Sequence, residues 1–334
     1  MAGKELATQG IATVFGAGGF LGRYVIRALA ARGYRIRAGS RRPNLSNYLQ
    51  PMGRVGQIVS VQANLRYPAS LAASLREAEL AVNLVGVLTE SGRQNFEAVH
   101  VFGARAAARA AREAGVRRYV HVSAIGAQAD SQSLYARTKA RGEEAVREIY
   151  PDAVILRPSI LFGPEDDFFN RFAAMARIAP VLPLMGGGHT RFQPAYVGDV
   201  AEAVGKVADG VAKDGGTYEL GGPDVKTFKE LLEYICKVTG RNRLLLPVPF
   251  GAARLPAAAT ETADALLFGL FPKMLVMTRD QLKLLESDNV VADAAVRDGS
   301  TLSGLGIDPR AIDSVVPTYL YRFRKAGQFD SLAT

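Results

Sequence analysis

Tyr135 and Lys139 are the two side chains whose types and spacing best suit acid–base chemistry. They are four residues apart, so on a helix they share one face. A tyrosine hydroxyl can donate a proton to a carbonyl, and a neighbouring ammonium group is expected to lower the tyrosine pKa from its usual value of about 10. The same lysine can hold a ribose hydroxyl. The pair is therefore a candidate for both catalysis and cofactor binding.

A glycine-rich turn near the start of the chain is the candidate phosphate site. It follows the short apolar run Ile11–Phe15 and opens a segment with helical spacing. Gly16 can take the tight turn, Gly19 lets backbone amides approach a pyrophosphate, and Gly22 lets the helix pack closely on a sheet. The spacing resembles that of the short-chain dehydrogenase/reductase superfamily. The predicted cofactor contacts here are Gly16, Gly18, Gly19, Phe20, Leu21 and Gly22.

Ser123 is the weakest member of the candidate catalytic set. The superfamily usually has a proton-relay Ser or Thr two positions further on, and that position is Ile125 in this chain. Ser123 can substitute for the missing residue only if its loop shifts. The sequence therefore predicts a complete cofactor site, to which Ser123 also contributes, beside an incomplete catalytic triad.

The end of the second predicted strand decides the choice of cofactor. Sites for NAD usually have an Asp or Glu there, which binds the ribose 2′-hydroxyl. This chain has Ser40, Arg41 and Arg42 and no carboxylate nearby. Guanidinium groups bind a 2′-phosphate through charge-assisted, often bidentate hydrogen bonds. The pattern favours NADPH, and the alternative is that both arginines are solvated loop residues.

Further cofactor contacts are predicted at the ends of later strands, because ligands bind parallel sheets at the carboxyl ends of their strands. Asparagine can both donate and accept hydrogen bonds, and a glycine lets the backbone approach a sugar closely. The predicted contacts are Asn64 and Leu65 after the third strand, Val85 and Gly86 after the fourth, and Pro158 and Ile160 after the sixth.

Strand-like and helical runs alternate over about the first 150 residues, which predicts a doubly wound parallel sheet of the Rossmann type. We expect an NADP(H)-binding domain over 8–215 and a smaller C-terminal α/β lobe over 216–334, with part of 160–200 contributing to that lobe. The predicted strands are Ile11–Phe15, Arg35–Gly39, Ile58–Gln62, Leu80–Leu84, Tyr119–Val122 and Ala153–Leu156.

The formal net charge of +9 is concentrated in the first quarter of the chain. Ten arginines and no acidic residue lie between Glu5 and Glu77, so that segment alone carries +10. A basic face can meet nucleic acid or anionic lipid. We favour cofactor phosphates and a solvated helix face for most of these arginines, with a docking surface as a second use and no nucleic-acid partner.

The composition excludes several other classes of protein. One cysteine, Cys236, rules out a disulfide framework, and the three histidines are not spaced as metal ligands. Residues 1–10 do not have the character of a signal or transit peptide, although a processed chain would hide one. The apolar stretch 250–277 is interrupted by Pro272 and Lys273, so we expect it in the core of the lobe or at a partner or membrane surface rather than across a bilayer.

Four motifs together resemble one family of atypical, extended short-chain dehydrogenases. That family is the nucleotide-binding accessory subunit of respiratory complex I, the alpha-subcomplex subunit 9 of NADH:ubiquinone oxidoreductase. The resemblance covers about residues 10–310, and its most distinctive part begins at Phe162. The motifs are Phe-Gly-Ala-Gly-Gly-Phe-Leu-Gly (15–22), Val-His-Val-Ser-Ala-Ile-Gly-Ala (120–127), Leu-Arg-Pro-Ser-Ile-Leu-Phe-Gly-Pro-Glu-Asp-Asp-Phe-Phe-Asn-Arg-Phe (156–172) and Phe-Gln-Pro-Ala-Tyr-Val-Gly-Asp-Val-Ala (192–201).

The resemblance implies a tightly held NADPH with a structural role and no established turnover. It also implies other complex I subunits as partners, near the junction of the peripheral and membrane arms. We expect a bacterial member at the cytoplasmic face of the inner membrane, or a matrix-side protein if the chain is a processed eukaryotic one. The chain departs from the animal members of the family because it keeps both Tyr135 and Lys139.

Two other functions are compatible with the same residues. The first is a free-standing NADPH-dependent reductase or nucleotide-sugar epimerase that acts through Tyr135 and Lys139. The second is a redox-sensing regulator that binds NADPH and reports it to a partner, which requires a cofactor that exchanges readily. Turnover by the isolated chain would distinguish the first, and fast cofactor exchange the second.

Overall fold

The structure, a computed structural model, describes residues 9–254, 277–325 and 327. It is built on alternating strands and helices. The strands are β1 Ile11–Phe15, β2 Arg35–Ser40, β3 Ile58–Gln62, β4 Ala78–Asn83, β5 Arg118–Val122, β6 Val154–Pro158, β7 Leu161–Phe162, β8 Val181–Met185, β9 Arg191–Phe192, β10 Ala195–Tyr196, β11 Thr217–Leu220, β12 Lys226–Thr227 and β13 Leu244–Val248.

Helices fill most of the connections between these strands, with short 3₁₀ segments such as Pro43–Met52 in others. The segment Glu97–Gly103 is a π-helix that leads directly into α3. The helices are α1 Phe20–Ala31, α2 Pro68–Leu75, α3 Ala104–Glu113, α4 Leu134–Ile149, α5 Phe168–Ile178, α6 Val197–Ala208, α7 Phe228–Val238, α8 Arg279–Leu284, α9 Asp293–Arg297, α10 Ile312–Val315 and α11 Pro317–Leu320.

Seven strands form one sheet in the order β11–β6–β5–β4–β1–β2–β3, and every neighbouring pair is parallel. The order reverses at β1, which lies between β2 and β4. Open parallel sheets bind ligands in the crevice at such a reversal, outside the carboxyl ends of the strands. The glycine-rich turn after β1 therefore lies at the expected binding crevice.

The two faces of this sheet are covered by different helices. On one face, α1 and α6 bury apolar side chains such as Val25, Leu29 and Val204. On the other face, α2 contributes Leu71 and Leu75, and α3 contributes a row of buried alanines. Small side chains on α3 let this helix pack closely. The predicted doubly wound α/β fold is confirmed.

A second core lies outside the sheet. Its centre is a group of phenylalanines in edge-to-face contact, and β8 pairs with β13 beside it. A capping box at Thr227 and Glu230 begins α7, which packs into this core. The phenylalanines are Phe162, Phe168, Phe169, Phe172, Phe192 and Phe228.

The chain crosses between the two cores more than once. Strand β11 pairs with β6 in the main sheet, although it follows the boundary predicted at 215/216. Leu302, Leu305 and Ile307 also bury their side chains in the core of the sheet. Since the sheet draws on residues from both sides of that boundary, the division into 8–215 and 216–334 cuts through it, and strand β11 belongs to the sheet rather than to the smaller lobe.

Candidate functional site

The turn after β1 needs its glycines for backbone reasons. Gly16 has a φ of +83°, a conformation that side chains disfavour. A Cβ atom on Gly22 would lie 2.4 Å from the carbonyl oxygens of both Gly16 and Ala17. Gly19 is the N-cap of α1, and no side chain caps that helix end. The first backbone N–H groups of α1 and its positive dipole end are therefore available to an anion.

The side chains of Phe20 and Leu21, which follow these glycines, belong to the surrounding packing. The ring of Phe20 is edge-on to Tyr24, with 5.9 Å between centroids. It also lies 3.2 Å from where a Cβ on Gly163 would be. Leu21 packs against the core under the sheet. Any contact of Phe20 or Leu21 with a phosphate is therefore expected through the backbone.

A polar corner lies beside the glycine turn, where β2 ends. Arg41 and Arg42 are both exposed there. Ser46 donates a hydrogen bond to Ser40, with 3.1 Å between the two Oγ atoms. The hydroxyl of Tyr48 donates to the carbonyl oxygen of Gly18 at 2.8 Å. Ser46 and Tyr48 are not among the predicted site residues. Both lie in the 3₁₀ segment, and no local sequence pattern indicates that this segment contacts the glycine turn.

The end of β3 lies next to this corner, and the end of β4 lies on the other side of β1. The side-chain oxygen of Asn64 accepts a hydrogen bond from the N–H of Arg66 at 3.1 Å, and Leu65 packs against Gly103. Val85 donates its N–H to the side-chain oxygen of Asn83 at 3.2 Å. A Cβ on Gly86 would lie 3.4 Å from the Nζ atom of Lys139. The loop after β4 therefore approaches the Tyr135–Lys139 helix closely.

Helix α4 places Tyr135 and Lys139 on one face, as predicted. The ring of Tyr135 packs edge-on against Phe96 and His100, with centroid distances of 5.7 and 5.2 Å. Lys139 is buried, and its Nζ atom donates to the carbonyl oxygen of Val122 at 3.1 Å. The ammonium group is thus fixed at the carboxyl end of β5, at the edge of the crevice.

The predicted lowering of the tyrosine pKa is wrong. Burial raises the pKa of Tyr135 to about 12. Burial also lowers the pKa of Lys139 to about 8, although the negative charge of Glu143 opposes that shift. Both shifts have the same physical cause, since desolvation penalises the charged form of each group. Tyr135 therefore keeps its proton at neutral pH, which is the form that a proton donor needs.

At the position where the sequence predicts a gap in the catalytic set, the structure has an apolar side chain. Ile125 is buried, and its N–H donates to the carbonyl oxygen of Pro158 at 3.0 Å. Ser123 is also buried, and its Oγ atom has no hydrogen-bond partner among the described residues. A buried hydroxyl without a partner costs free energy unless water or a ligand binds it. Ser123 is therefore better placed to contact a ligand than to relay a proton.

Two buried histidines behind the crevice were not predicted as site residues. His100 Nε2 accepts from the N–H of Val87 at 3.2 Å, so its Nδ1 carries the proton and donates to Thr138 at 3.1 Å. His121 Nδ1 accepts from Asn83 at 3.2 Å, and its Nε2 atom has no partner within the described residues. Burial, with help from the charge of Lys139, lowers the pKa of each histidine to about 3.

The segment after residue 277 supports the tyrosine helix. A carboxylate oxygen of Asp280 accepts from the N–H of Leu134 at 2.7 Å, and the other accepts from Ser133 Oγ at 2.8 Å. The side-chain oxygen of Asn289 accepts from Ser159 Oγ at 2.6 Å, and its amide donates to the carbonyl of Ile125 at 3.2 Å. These contacts span more than 120 residues of sequence, so no local pattern could have indicated them.

Pro158 and Ile160 lie on the same side of the crevice. Pro158 is buried at the end of β6, and the N–H of Ile160 donates to the side-chain oxygen of Asn289 at 3.2 Å. Ile160 packs against the second core. The predicted contacts after β6 are therefore built into the junction between the sheet and the smaller lobe.

The site geometry can be compared with known proteins. Residues 12–221 match the model of the NAD dependent epimerase/dehydratase family. The chain is 35% identical over 97% of its length, and over 81% of the relative, to "NADH dehydrogenase [ubiquinone] 1 alpha subcomplex subunit 9, mitochondrial" of Arabidopsis thaliana. The chain belongs to the alpha subcomplex subunit 9 family. The predicted resemblance is confirmed.

Other comparisons cover less sequence or show the fold alone. A "Ceramide reductase" of Caulobacter vibrioides is 37% identical over 53% of this chain and 54% of that protein. The solved structure of a "NADPH-dependent quinone oxidoreductase QOR2 complexed with NADPH from escherichia coli" has a TM-score of 0.68 at 20% identity, over 93% of this chain and 100% of that one. These matches agree with the Rossmann-type fold of the subunit 9 chain.

The crevice of this subunit 9 family member fits a nicotinamide dinucleotide. A side chain at Gly22 would collide with the turn, and α1 presents its uncapped N-terminus to the crevice. Buried polar atoms of Ser123 and His121 have no partner in the described part of the chain. A bound nicotinamide cofactor would supply hydride chemistry, while the residues on this chain would hold its phosphates and ribose. The predicted contacts lie at or after the ends of β1 to β6, and Tyr135 and Lys139 lie on α4.

Two further predictions concern metals and membranes. Within residues 9–254 and 277–325, no group of three or more His, Cys, Asp or Glu side chains is placed to hold a metal ion. No helix in the described chain has the length and apolar character needed to cross a membrane. Residues 255–276 lie outside the described residues, and they make up most of the apolar stretch 250–277 that is predicted for the core of the lobe or for a partner or membrane surface.

Proposed function

We propose that this chain is an NADPH-binding accessory subunit of respiratory complex I. In this proposal it has a structural and assembly role near the junction of the peripheral and membrane arms. It associates with other complex I subunits and lies peripherally at the cytoplasmic face of a bacterial inner membrane, or on the matrix side in a eukaryote. The name of the Arabidopsis relative supports membership of the complex.

The observation that most directly supports binding without turnover is the contrast along the crevice. The phosphate turn has the backbone geometry of a dinucleotide site. At the other end, burial holds the pKa of Tyr135 at about 12, and Ile125 fills the usual position of the relay residue. A site of this kind can retain a cofactor, while it lacks a side chain that relays a proton at the usual position.

The choice of NADPH over NADH rests on Arg41 and Arg42. Both follow β2 directly and are exposed beside the hydroxyls of Ser40 and Ser46. Neither arginine has an ion-pair partner within the described residues. Two free guanidinium groups favour an additional phosphate through charge-assisted hydrogen bonds.

The proposal is tested by replacing the chromosomal copy of the gene. We expect Tyr135→Phe to leave complex I assembly unchanged on native gels. We expect Arg41→Ala/Arg42→Ala to reduce assembled complex strongly, because the cofactor would no longer hold the subunit in its assembled form. Loss of assembly in Tyr135→Phe alone, or normal assembly in the arginine variant with no bound NADPH, would contradict the proposal.

A second candidate function is an NADPH-dependent reductase. Two observations favour it: Tyr135 and Lys139 share one face of α4 at the crevice, and the chain resembles a ceramide reductase over about half its length. It predicts NADPH oxidation by the isolated chain with a carbonyl substrate. In that case Tyr135→Phe would abolish turnover while leaving NADPH binding intact.

A further inference from the structure

A groove in the smaller lobe lies away from the dinucleotide crevice. It has a volume of about 960 Å³ and runs between helix α7 and strand β13. Its apolar lining residues include Leu184, Leu245 and Pro247. None of its lining residues belongs to the candidate cofactor site. The groove therefore needs an explanation of its own.

The rim of the groove carries an excess of positive charge. Lys229, Lys237, Arg241 and Arg243 line it, and Glu233 is the one carboxylate among the lining residues. Glu233 pairs with Lys229, one helical turn away, at 3.7 Å. Lys237, Arg241 and Arg243 have no carboxylate partner in the part of the chain that the structure describes. The groove thus has a local net charge of +3.

The two arginines are held in place from one side. Arg241 donates from Nε and Nη2 to the carbonyl oxygen of Phe323 at 3.2 and 3.0 Å. Arg243 donates from Nε to the carbonyl oxygen of Ala176 at 2.6 Å and from Nη1 to that of Asn242 at 3.2 Å. Each guanidinium group has five N–H donors in a planar fork, so its remaining donors stay available. A fork that is already fixed loses less side-chain entropy when it binds an anion.

Like charges lie close together at this rim. The pKa of Arg241 is lowered by burial and by the positive charges of Arg243 and Arg177. Arg177 itself stacks over the ring of Phe323, at 5.9 Å from its centroid. Three guanidinium groups therefore share one region, and the one carboxylate that lines the groove, Glu233, pairs with Lys229 instead. Such repulsion is relieved when an anion binds between the groups.

Stabilisation of helix α7 is too small an explanation for this charge. Cations near a helix C-terminus offset a dipole charge of about −0.5, and Lys237 lies in the last turn of α7. The local charge of +3 is several times larger. The apolar residues that line the groove are also not required for helix capping. An anionic ligand with an organic portion accounts for both features.

We propose that this groove binds the phosphate group of a phosphate ester, with Lys237, Arg241 and Arg243 as its cationic partners. Forked guanidinium groups suit a tetrahedral oxyanion, and the groove is larger than phosphate alone requires. The ester is either a water-soluble metabolite or a phospholipid headgroup. The proposal goes beyond the NADPH-binding function and is independent of it.

The test uses the full-length chain saturated with NADPH, so that the dinucleotide crevice is filled. Calorimetry measures the affinity for inorganic phosphate. Co-sedimentation measures binding to phosphatidylglycerol vesicles, with phosphatidylcholine vesicles as the uncharged reference. The variant is Lys237→Glu, whose side chain is exposed. Its matched control is Lys213→Glu, which makes the same charge change at an exposed position away from the groove.

We expect Lys237→Glu to weaken binding of phosphate or of phosphatidylglycerol vesicles at least about tenfold, and Lys213→Glu to change it less than about twofold. NADPH binding should be unchanged in both variants. Arg241→Gln should give a loss similar to that of Lys237→Glu. Vesicle binding that depends on Lys237 would identify the headgroup as the source of phosphate. Equal binding by both lysine variants, or no binding of either probe to the parent chain, would overturn the proposal.

Discussion

The two ends of the dinucleotide crevice differ in how well their residues suit the chemistry expected there, which is phosphate binding at one end and proton transfer at the other. At the phosphate end, a side chain at Gly22 would collide with two backbone carbonyls, Gly16 has a φ that side chains disfavour, and two exposed arginines lie nearby. At the tyrosine end, Tyr135 and Lys139 are present, but burial moves both pKa values in directions set by desolvation. The phosphate end therefore meets its requirement through backbone geometry, whereas the tyrosine end has the Tyr135–Lys139 pair without a relay residue at the usual position.

The largest effect is expected at Gly22, because any side chain there collides with two backbone carbonyls. We predict that Gly22→Ala displaces helix α1, weakens NADPH binding by more than about 100-fold and lowers the free energy of unfolding by about 3 kcal/mol. Fluorescence titration and urea denaturation measure the two quantities. Gly251→Ala is the matched control, since nothing lies within 4 Å of a Cβ there and its φ is not positive. Tight NADPH binding by Gly22→Ala would show that cofactor binding does not depend on the close backbone approach at this turn.

The next effect concerns the choice between NADPH and NADH. Loss of two charge-assisted hydrogen bonds in Arg41→Ala/Arg42→Ala should weaken NADPH binding about 100-fold. NADH lacks the 2′-phosphate, so its affinity should change less than about threefold. Competition titrations of both nucleotides measure this ratio. Arg54→Ala removes another exposed arginine from the same basic segment and should change neither affinity. An equal loss for both nucleotides would mean that these arginines act on the fold instead.

Lys139 is expected to lower the free energy of unfolding at pH 7 while it contributes to NADPH binding. Its folded-state pKa of about 8 lies below the usual 10.5, so burial penalises the charged form at pH 7. That penalty is relieved as pH rises from about 8 to 10.5. We predict that Lys139→Met raises the free energy of unfolding by about 2 kcal/mol at pH 7, less at pH 10, and weakens NADPH binding.

Urea denaturation at both pH values measures this trade-off, with Lys213→Met as the exposed control. A surface lysine should change the free energy of unfolding by less than about 0.5 kcal/mol. If Lys139→Met proves less stable than the parent chain at pH 7, the lysine serves the fold, and its position at the crevice would no longer indicate a ligand.

The smallest effect is expected at Tyr135, the residue that a reductase would need most. Since Tyr135→Phe removes at most one neutral hydrogen bond to the cofactor, it should change NADPH affinity less than about tenfold. It should also leave the melting temperature nearly unchanged, because the ring contacts with Phe96 and His100 remain. A large fall in a measurable NADPH oxidation rate would show instead that the tyrosine end is active.

The phosphate end could be predicted from sequence because its requirements are local. A five-residue apolar strand followed by glycines at fixed spacing predicted β1 with its observed bounds. The supports of the tyrosine end could not be predicted, because Asp280 and Asn289 reach it from more than 120 residues away. The pKa of Tyr135 was predicted in the wrong direction, since it depends on burial rather than on the nearby lysine. The predicted boundary at 215/216 puts strand β11 in the smaller lobe, and its pairing with β6 has no local signal in the sequence.

The central claim is that the chain holds NADPH as part of complex I rather than as a separate enzyme. The most direct test is purification from native membranes in mild detergent, with identification of the co-purifying proteins and of the released nucleotide. The account predicts co-migration with complex I subunits and about one NADPH per chain. A free monomer or dimer without respiratory subunits, which exchanges its nucleotide quickly, would contradict it.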